Sequence, residues 1–115
     1  MEYWFFEGWF LKSYRGRLDI IADILQIAKG KAKKTQIMYQ ANLSYKVLQR
    51  YLGEIIEASL VNFEHVEQQY VLTEKGHEFL ETYKDYSKAN KIIEKRLDEI
   101  CSKKKILEGL CTNGK

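Results

Sequence analysis

Apolar residues in the first half of the chain recur at intervals of three and four, the spacing that places side chains on one face of an α-helix. The breaks in this pattern predict three short helices, over residues 17–29, 35–42 and 44–58. The residues predicted to face inward are Leu18, Ile21, Ile24, Leu25 and Ala28 in the first helix, Ile37, Met38 and Ala41 in the second, and Leu48, Leu52, Ile55 and Ile56, with Tyr45 and Tyr51 at the margins, in the third.

Residues suited to helix ends stand at the boundaries of these segments. Gly30 can adopt the left-handed conformation of a helix stop, and it is predicted to end the first helix. The hydroxyls of Thr35 and Ser44 are predicted to cap the second and third helices. Only residues 42–44 separate those two helices, with Asn42 ending the second, which is the length of a helix-turn-helix connection.

A different period begins after the third helix. In residues 60–72, apolar and polar residues alternate twice, once around Phe63 and again around Tyr70, as in the two strands of a β-hairpin. The tip at about residues 65–68 contains no glycine, so a four-residue loop is expected rather than a tight two-residue turn. Thr73 is predicted to cap a long final helix.

The final helix carries a heptad seam, a row of mostly apolar residues spaced alternately by four and three. The seam consists of Phe79, Tyr83, Tyr86, Asn90, Ile93, Leu97, Ile100, Lys104 and Leu107. A helix of roughly 35 residues is about 50 Å long, more than a domain of about 60 residues can cover. We expect a second copy of the chain to cover the seam, and a helix that folds back on its own domain is the alternative.

The order of these elements predicts a mainly α fold, an α+β winged helix-turn-helix, and the seam predicts that the long C-terminal helix forms a two-stranded coiled coil. We favour an antiparallel coiled coil, because a parallel pair would crowd the two winged helices at one end. We divide the chain into an aromatic arm at residues 1–14, a winged helix at 15–76, a dimerisation helix at 77–108 and a tail at 109–115. The arm is expected to pack on the domain or across the dimer, because exposed aromatic clusters favour aggregation. A role at a ligand or membrane surface and a start codon placed too early are the alternatives.

The positions of the charged residues indicate which ligand the chain binds. The net charge is only +3, yet no acidic residue occurs between Asp23 and Glu54. The basic residues of that stretch are Lys29, Lys31, Lys33, Lys34, Lys46 and Arg50. A compact helix pair that presents only positive charge suits a phosphate backbone. We therefore predict that the chain binds double-stranded DNA, with the helix of residues 44–58 in the major groove.

The predicted contacts on that helix lie opposite its apolar residues. Lys46 and Arg50 can bind phosphates, while Arg50 and Gln49 can read guanine or adenine edges. Gly53 would permit close approach to the duplex. A solvated helix face is the alternative interpretation of this set.

Flanking contacts are expected from backbone amides at Ser44 and Tyr45 and from the segment before the second helix. The residues of that segment are Lys31, Lys33, Lys34, Thr35 and Gln36. A basic loop that is merely solvated is again the alternative.

Catalysis, a metal and a cofactor are not expected. His65 and His77 have no Cys or His at metal-ligand spacing, and no glycine-rich phosphate loop follows a strand. No apolar run approaches the roughly 18 residues of a membrane span. Cys101 and Cys111 are too few for a disulfide framework, so we expect a cytoplasmic protein. The predicted DNA binding would make it nucleoid-associated.

Three segments resemble a known family: residues 35–45 (TQIMYQANLSY), 50–51 (RY) and 70–76 (YVLTEKG). They are similar to the small archaeal winged-helix DNA-binding proteins that dimerise through a long C-terminal antiparallel coiled coil. The resemblance covers roughly residues 17–100. It implies a chromatin-like or regulatory protein that binds double-stranded DNA without cofactor or catalysis, with its recognition helix at residues 44–57.

The chain departs from that pattern in its aromatic arm and at its wing tip, where Glu64 and Glu67 replace a basic cluster. Two other functions stay open. A protein-interaction adaptor could use the winged helix and coiled coil without nucleic acid, and RNA binding ranks third because no aromatic sheet platform is present. Within DNA binding, a regulator and an architectural protein both fit the sequence.

Overall fold

The computed structural model describes residues 15–112, so the predicted aromatic arm and the end of the predicted tail lie outside the described residues. Helices α1 (Arg17–Ala28), α2 (Lys34–Gln40) and α3 (Tyr45–Glu57) come first. Strands β1 (Val61–Glu64) and β2 (Gln69–Leu72) and the long helix α4 (Glu74–Thr112) follow. This order confirms the predicted winged helix.

Helices α1, α2 and α3 contribute to one apolar core. Its fully buried large side chains are Ile24, Leu25, Ile37, Leu48, Ile55 and Val61. Leu18 and Ile56 were predicted to face inward but are 39% and 40% exposed, because each lies in a terminal turn of its helix where few neighbours cover it. Tyr51, predicted at the margin, is buried.

Two predicted helix ends are wrong. The left-handed residue after α1 is Lys31 (φ 61°), not Gly30, because the Gly30 amide still donates to the helix at the Ile27 carbonyl and the chain reverses one residue later. Helix α2 begins before Thr35, since the Lys33 carbonyl already accepts its first helical hydrogen bond. Asn42, in contrast, has the left-handed conformation (φ 56°) that suits the end of α2.

A short β-bridge ties the connection between α1 and α2 to the hairpin. The Ala32 amide donates to the Tyr70 carbonyl at 3.1 Å, and the Tyr70 amide donates to the Ala32 carbonyl at 2.7 Å. The hairpin itself pairs antiparallel, from Val61 opposite Leu72 to Glu64 opposite Gln69. The four residues between the strands confirm the predicted loop length.

The start of α4 explains the Leu-Thr-x-x-Gly sequence of the chain. The Thr73 hydroxyl oxygen accepts a hydrogen bond from the Gly76 amide at 3.0 Å, which confirms the predicted cap. Gly76 is buried, and a Cβ there would lie 2.4 Å from both the Leu60 carbonyl oxygen and the Leu72 Cδ1. Only glycine therefore allows the first turn of α4 to lie this close to Leu60 and Leu72.

The chain divides into two compact units, of which the first ends at Leu80 and the second begins at Glu81. In the described residues, the second unit consists of the remainder of α4. Tyr83 is half-buried there, and the exposed large apolar side chains range from 48% for Tyr86 to 76% for Leu110. No helix within residues 15–112 has an apolar stretch long enough to cross a lipid bilayer.

Candidate nucleic-acid interface

Helix α3 presents its polar face to solvent and its apolar face to the core. The Ser44 hydroxyl accepts a hydrogen bond from the Val47 amide at 3.2 Å, which fixes the first turn and confirms the predicted cap. Leu48, Leu52 and Ile55 are buried. The four residues predicted to contact DNA from this helix are all exposed: Lys46, Gln49, Arg50 and Gly53.

The turn between α2 and α3 is held from outside by Arg15. One guanidinium nitrogen donates to the Asn42 carbonyl at 3.3 Å, and the other donates to the Asp23 carboxylate at 2.5 Å. Burial raises the pKa of the Asp23 carboxyl, while its hydrogen bond and charge interaction with Arg15 oppose the rise and Asp19 adds to it. No sequence pattern indicated this role of Arg15.

The two acidic residues that bound the acid-free stretch both form ion pairs. Asp23 pairs with Arg15, and Glu54 pairs with Arg17. Glu54 lies on α3 itself, so its pairing reduces the repulsion that an anion would meet at this helix. The pairing of Arg17 with Glu54 was not predicted from the sequence. Its signal was a basic residue at the start of α1, the helix that precedes the helix-turn-helix.

Three of the predicted contact residues are linked to one another. The Lys34 ammonium donates to the side-chain oxygen of Gln49 and lies 5.2 Å from the centre of the Tyr45 ring. The Gln49 amide oxygen accepts from the lysine, and its amide nitrogen carries two hydrogens that can be donated to another group. Nearby, the Arg50 guanidinium lies 5.3 Å from the centre of the Tyr51 ring, a cation–π distance that steadies the arginine.

The segment before α3 adds further exposed groups. Lys31, Lys33, Thr35 and Gln36 are exposed, and Lys34 is half-buried. Tyr39 is 79% exposed and follows Thr35 and Gln36 by one helical turn. Sequence reasoning missed Tyr39, although a large aromatic residue on the polar face of a short helix was a signal for it.

The wing, formed by β1, β2 and the loop between them, has no lysine or arginine. The Glu67 amide donates to the Glu64 carboxylate at 3.1 Å within the loop, and Val66 is 85% exposed at its tip. Such a wing offers no cation to a phosphate. Within residues 15–112, no cluster of three His, Cys, Asp or Glu side chains is arranged to hold a metal ion.

Known proteins share this arrangement of helices and wing. The winged helix-turn-helix family model matches residues 14–91. An uncharacterised protein of Methanocaldococcus jannaschii is 38% identical over 68 residues, or 58% of this chain. The match spans only 31% of that protein, so the chain corresponds to less than a third of its length.

Two solved structures share the fold. Sso10a-2, a DNA-binding protein from Sulfolobus solfataricus, superimposes with a TM-score of 0.71 at 24% identity, over 76% of this chain and 95% of that one. The transcriptional repressor CouR, bound to p-coumaroyl-CoA, gives a TM-score of 0.51 at 16% identity, over 94% and 93% of the two chains. The resemblance to archaeal winged-helix proteins predicted from residues 35–45 and 70–76 is confirmed.

Proposed function

Since this chain belongs to the winged helix-turn-helix family, we propose that it binds double-stranded DNA with the exposed face of α3 in the major groove. The observation that carries the proposal is the uniformly positive charge of the exposed face of α3. Lys46 and Arg50 are exposed on α3, no acidic residue occurs between Asp23 and Glu54, and both of those acids are ion-paired. The fold shared with Sso10a-2, itself a DNA-binding protein, supports the same ligand.

The residues of α3 divide into two roles. Lys46 and the loop lysines neutralise phosphates, which gives affinity without sequence preference. Arg50 reads a base edge with its forked guanidinium, a contact worth about 1–3 kcal/mol of discrimination. Gln49, its oxygen held by Lys34, donates its amide hydrogens to an acceptor on a neighbouring base.

The flanking residues position the helix on the duplex. Ser44 and Tyr45 stand at the N-terminal end of α3, where backbone amides attract a phosphate. Thr35, Gln36 and Tyr39 offer hydroxyl and amide hydrogens along α2 that suit the sugar–phosphate backbone.

The working form in this proposal is a homodimer paired through α4. The seam residues Tyr86, Ile93, Leu97, Ile100 and Leu107 are 48–62% exposed, and Phe79, Tyr83 and Asn90 continue the same row. An exposed heptad row of this length is stabilised by pairing with a second helix. The dimer acts on chromosomal DNA, as a transcription regulator or as an architectural protein of the nucleoid.

An electrophoretic mobility shift across a salt series tests the proposal. The Lys46→Ala/Arg50→Ala variant should bind duplex weakly, with a shallower dependence of affinity on salt because it neutralises fewer phosphates. Lys29→Ala is the matched control, since Lys29 is exposed in the same acid-free stretch but lies outside the proposed interface. Unchanged affinity of the double variant, with helicity retained, would overturn the assignment of this face.

The same measurement separates the other two functions. A protein-interaction adaptor would show no salt-dependent duplex binding at all. An RNA-binding protein would release labelled duplex at lower concentrations of competing RNA than of competing duplex DNA.

A further inference from the structure

A second row of basic residues runs along α4, outside the winged helix. Lys84, Lys88, Lys91 and Lys95 are spaced by four, three and four residues, and all four are exposed. They extend over about 17 Å at 1.5 Å per residue. We call this row the lysine stripe.

The lysine stripe faces away from the heptad seam. At 3.6 residues per turn, the mean direction of the four lysines is about 150° from that of the seam residues between Tyr83 and Leu97. With the seam at positions a and d of the heptad, the lysines occupy positions b and f, which a coiled-coil partner does not cover. The stripe therefore remains exposed whether or not α4 pairs.

The sign of charge does not alternate along this row. Lys84 and Lys88 are like charges at i and i+4, as are Lys91 and Lys95, and such pairs weaken a helix. Solvated coiled-coil faces usually alternate the sign of charge along the helix. Here positions b and f are all lysine from residue 84 to residue 95. Glu81 and Asp98 bound this row at its two ends, and Asp85 and Glu94 stand beside it.

We infer that the lysine stripe is a second binding surface for the phosphate backbone of duplex DNA, distinct from the winged-helix face. Side chains three and four residues apart on a helix are about 5–6 Å apart, so the row presents a line of cations to a line of phosphates. The stripe contains no arginine, which leaves it without a forked donor suited to reading a base edge, so its binding should be independent of sequence.

Duplex DNA fits the stripe better than an anionic membrane does. A helix that lies on a bilayer needs apolar residues beside its basic ones, at the same surface. On α4 the main apolar row faces away from the lysines, so one flat surface cannot contact both. A charged rod such as DNA needs only the cations.

The test begins with four forms of the full chain. They are the native chain, the glutamine form Lys84→Gln/Lys88→Gln/Lys91→Gln/Lys95→Gln, the arginine form with the same four lysines changed to Arg, and Lys46→Ala/Arg50→Ala. Affinity for a mixed-sequence duplex is measured against salt concentration. The glutamine form should lower the slope of log K against log salt by roughly 0.9 for each phosphate that it no longer neutralises, and the arginine form should retain the native slope. Circular dichroism checks that α4 stays helical in every form.

Combining the glutamine changes with Lys46→Ala/Arg50→Ala separates the two surfaces. Residual duplex binding of the recognition-helix variant should fall roughly tenfold or more when the stripe is also neutralised. A native slope in the glutamine form, or an arginine form that behaves like the glutamine form, would overturn the inference. So would lysine-dependent binding to phosphatidylserine vesicles with duplex binding unchanged.

The outcomes also distinguish this inference from the proposed function. If Lys46→Ala/Arg50→Ala binds like the native chain while the glutamine form fails to bind DNA, the stripe stands and the winged-helix assignment fails. If the glutamine form binds like the native chain while Lys46→Ala/Arg50→Ala fails to bind DNA, the winged helix is the DNA-binding surface and the inference about the stripe is wrong.

Discussion

Two glycines in helices of this chain have opposite surroundings. Gly76 is buried, and a Cβ there would meet the Leu60 carbonyl and the Leu72 side chain at 2.4 Å. Gly53 is exposed on α3, and nothing lies within 4 Å of the position of an added Cβ. Packing therefore requires glycine at position 76 but not at position 53. Gly53 lowers the stability of α3, and no packing contact within the fold requires a glycine there.

We expect Gly53→Ala to raise the free energy of unfolding by about 0.5–1 kcal/mol and to weaken duplex binding. The first effect follows from helix propensity, and the second from a methyl group placed between α3 and the duplex. Urea unfolding and a binding titration measure the two effects separately. Gly76→Ala is the control, because it should destabilise the fold by about 1–3 kcal/mol through overcrowding. Tighter or unchanged DNA binding by Gly53→Ala would show that Gly53 does not face DNA closely.

The raised pKa of Asp23 predicts how this residue affects stability with pH. Burial raises the pKa of its carboxyl above the usual 3.8, against the opposing effect of Arg15. Between the unfolded and folded pKa values the folded chain binds more protons, so this group's contribution to stability falls as pH rises through that window.

Arg15→Met should raise the pKa of Asp23 further, because it removes the hydrogen bond and the positive charge that oppose the effect of burial. Carboxyl NMR titration measures the change directly. Arg17→Met is the matched control, since Arg17 pairs with Glu54 instead. A lowered Asp23 pKa in Arg15→Met would contradict the assignment of its causes.

At the scale of elements, patterns within short segments of sequence predicted the helices and strands. Contacts between residues far apart in sequence could not be predicted in this way. The helices, the hairpin and the caps at Ser44 and Thr73 follow from spacing and from hydroxyls within three residues of the amide they bind. The bridge between Ala32 and Tyr70 joins residues far apart in sequence, and a single pair leaves no period to detect.

The candidate site shows the same division. The exposed face of α3 could be predicted because burial of its apolar side fixes which residues point outward. The link from Lys34 to Gln49 could not, since it depends on side-chain rotamers across two helices. The ion pair of Glu54 could not be predicted either. The sequence shows Glu54 at the edge of the acid-free stretch but does not show that Arg17 neutralises it.

At the scale of the whole molecule, the seam predicts how two copies pair. In an antiparallel pair, one register sets Tyr86 against the partner's Leu97 and Tyr83 against the partner's Ile100. This register leaves the two Asn90 side chains near the two-fold axis, where they can hydrogen-bond to each other. A buried Asn pair lowers the stability of the coiled coil but favours this register over others. A parallel pair would also place Asn90 beside its copy, but it would bring two winged helices and their lysine loops together at one end.

Cysteine cross-linking distinguishes the two geometries. In the antiparallel register, the two copies of Cys101 lie about 28 Å apart along the coil and the two copies of Cys111 about 58 Å apart. A disulfide requires Cα atoms closer than about 7 Å, so mild oxidation should give no symmetric disulfide within the dimer. In a parallel pair, Cys111 would share the inward heptad position of Asn90 and Leu97 and would meet its own copy.

A positive control makes the absence of cross-linking interpretable. In a Cys101→Ser/Cys111→Ser background, Tyr86→Cys/Leu97→Cys places two thiols about 17 Å apart on one helix, too far for a disulfide within the chain. Antiparallel pairing in this register should yield a covalent dimer whose cross-linked peptides join position 86 to position 97. Mass spectrometry that finds 86 joined to 86 and 97 joined to 97 would instead establish parallel helices, and the two winged helices would then contact DNA from one end of the coil.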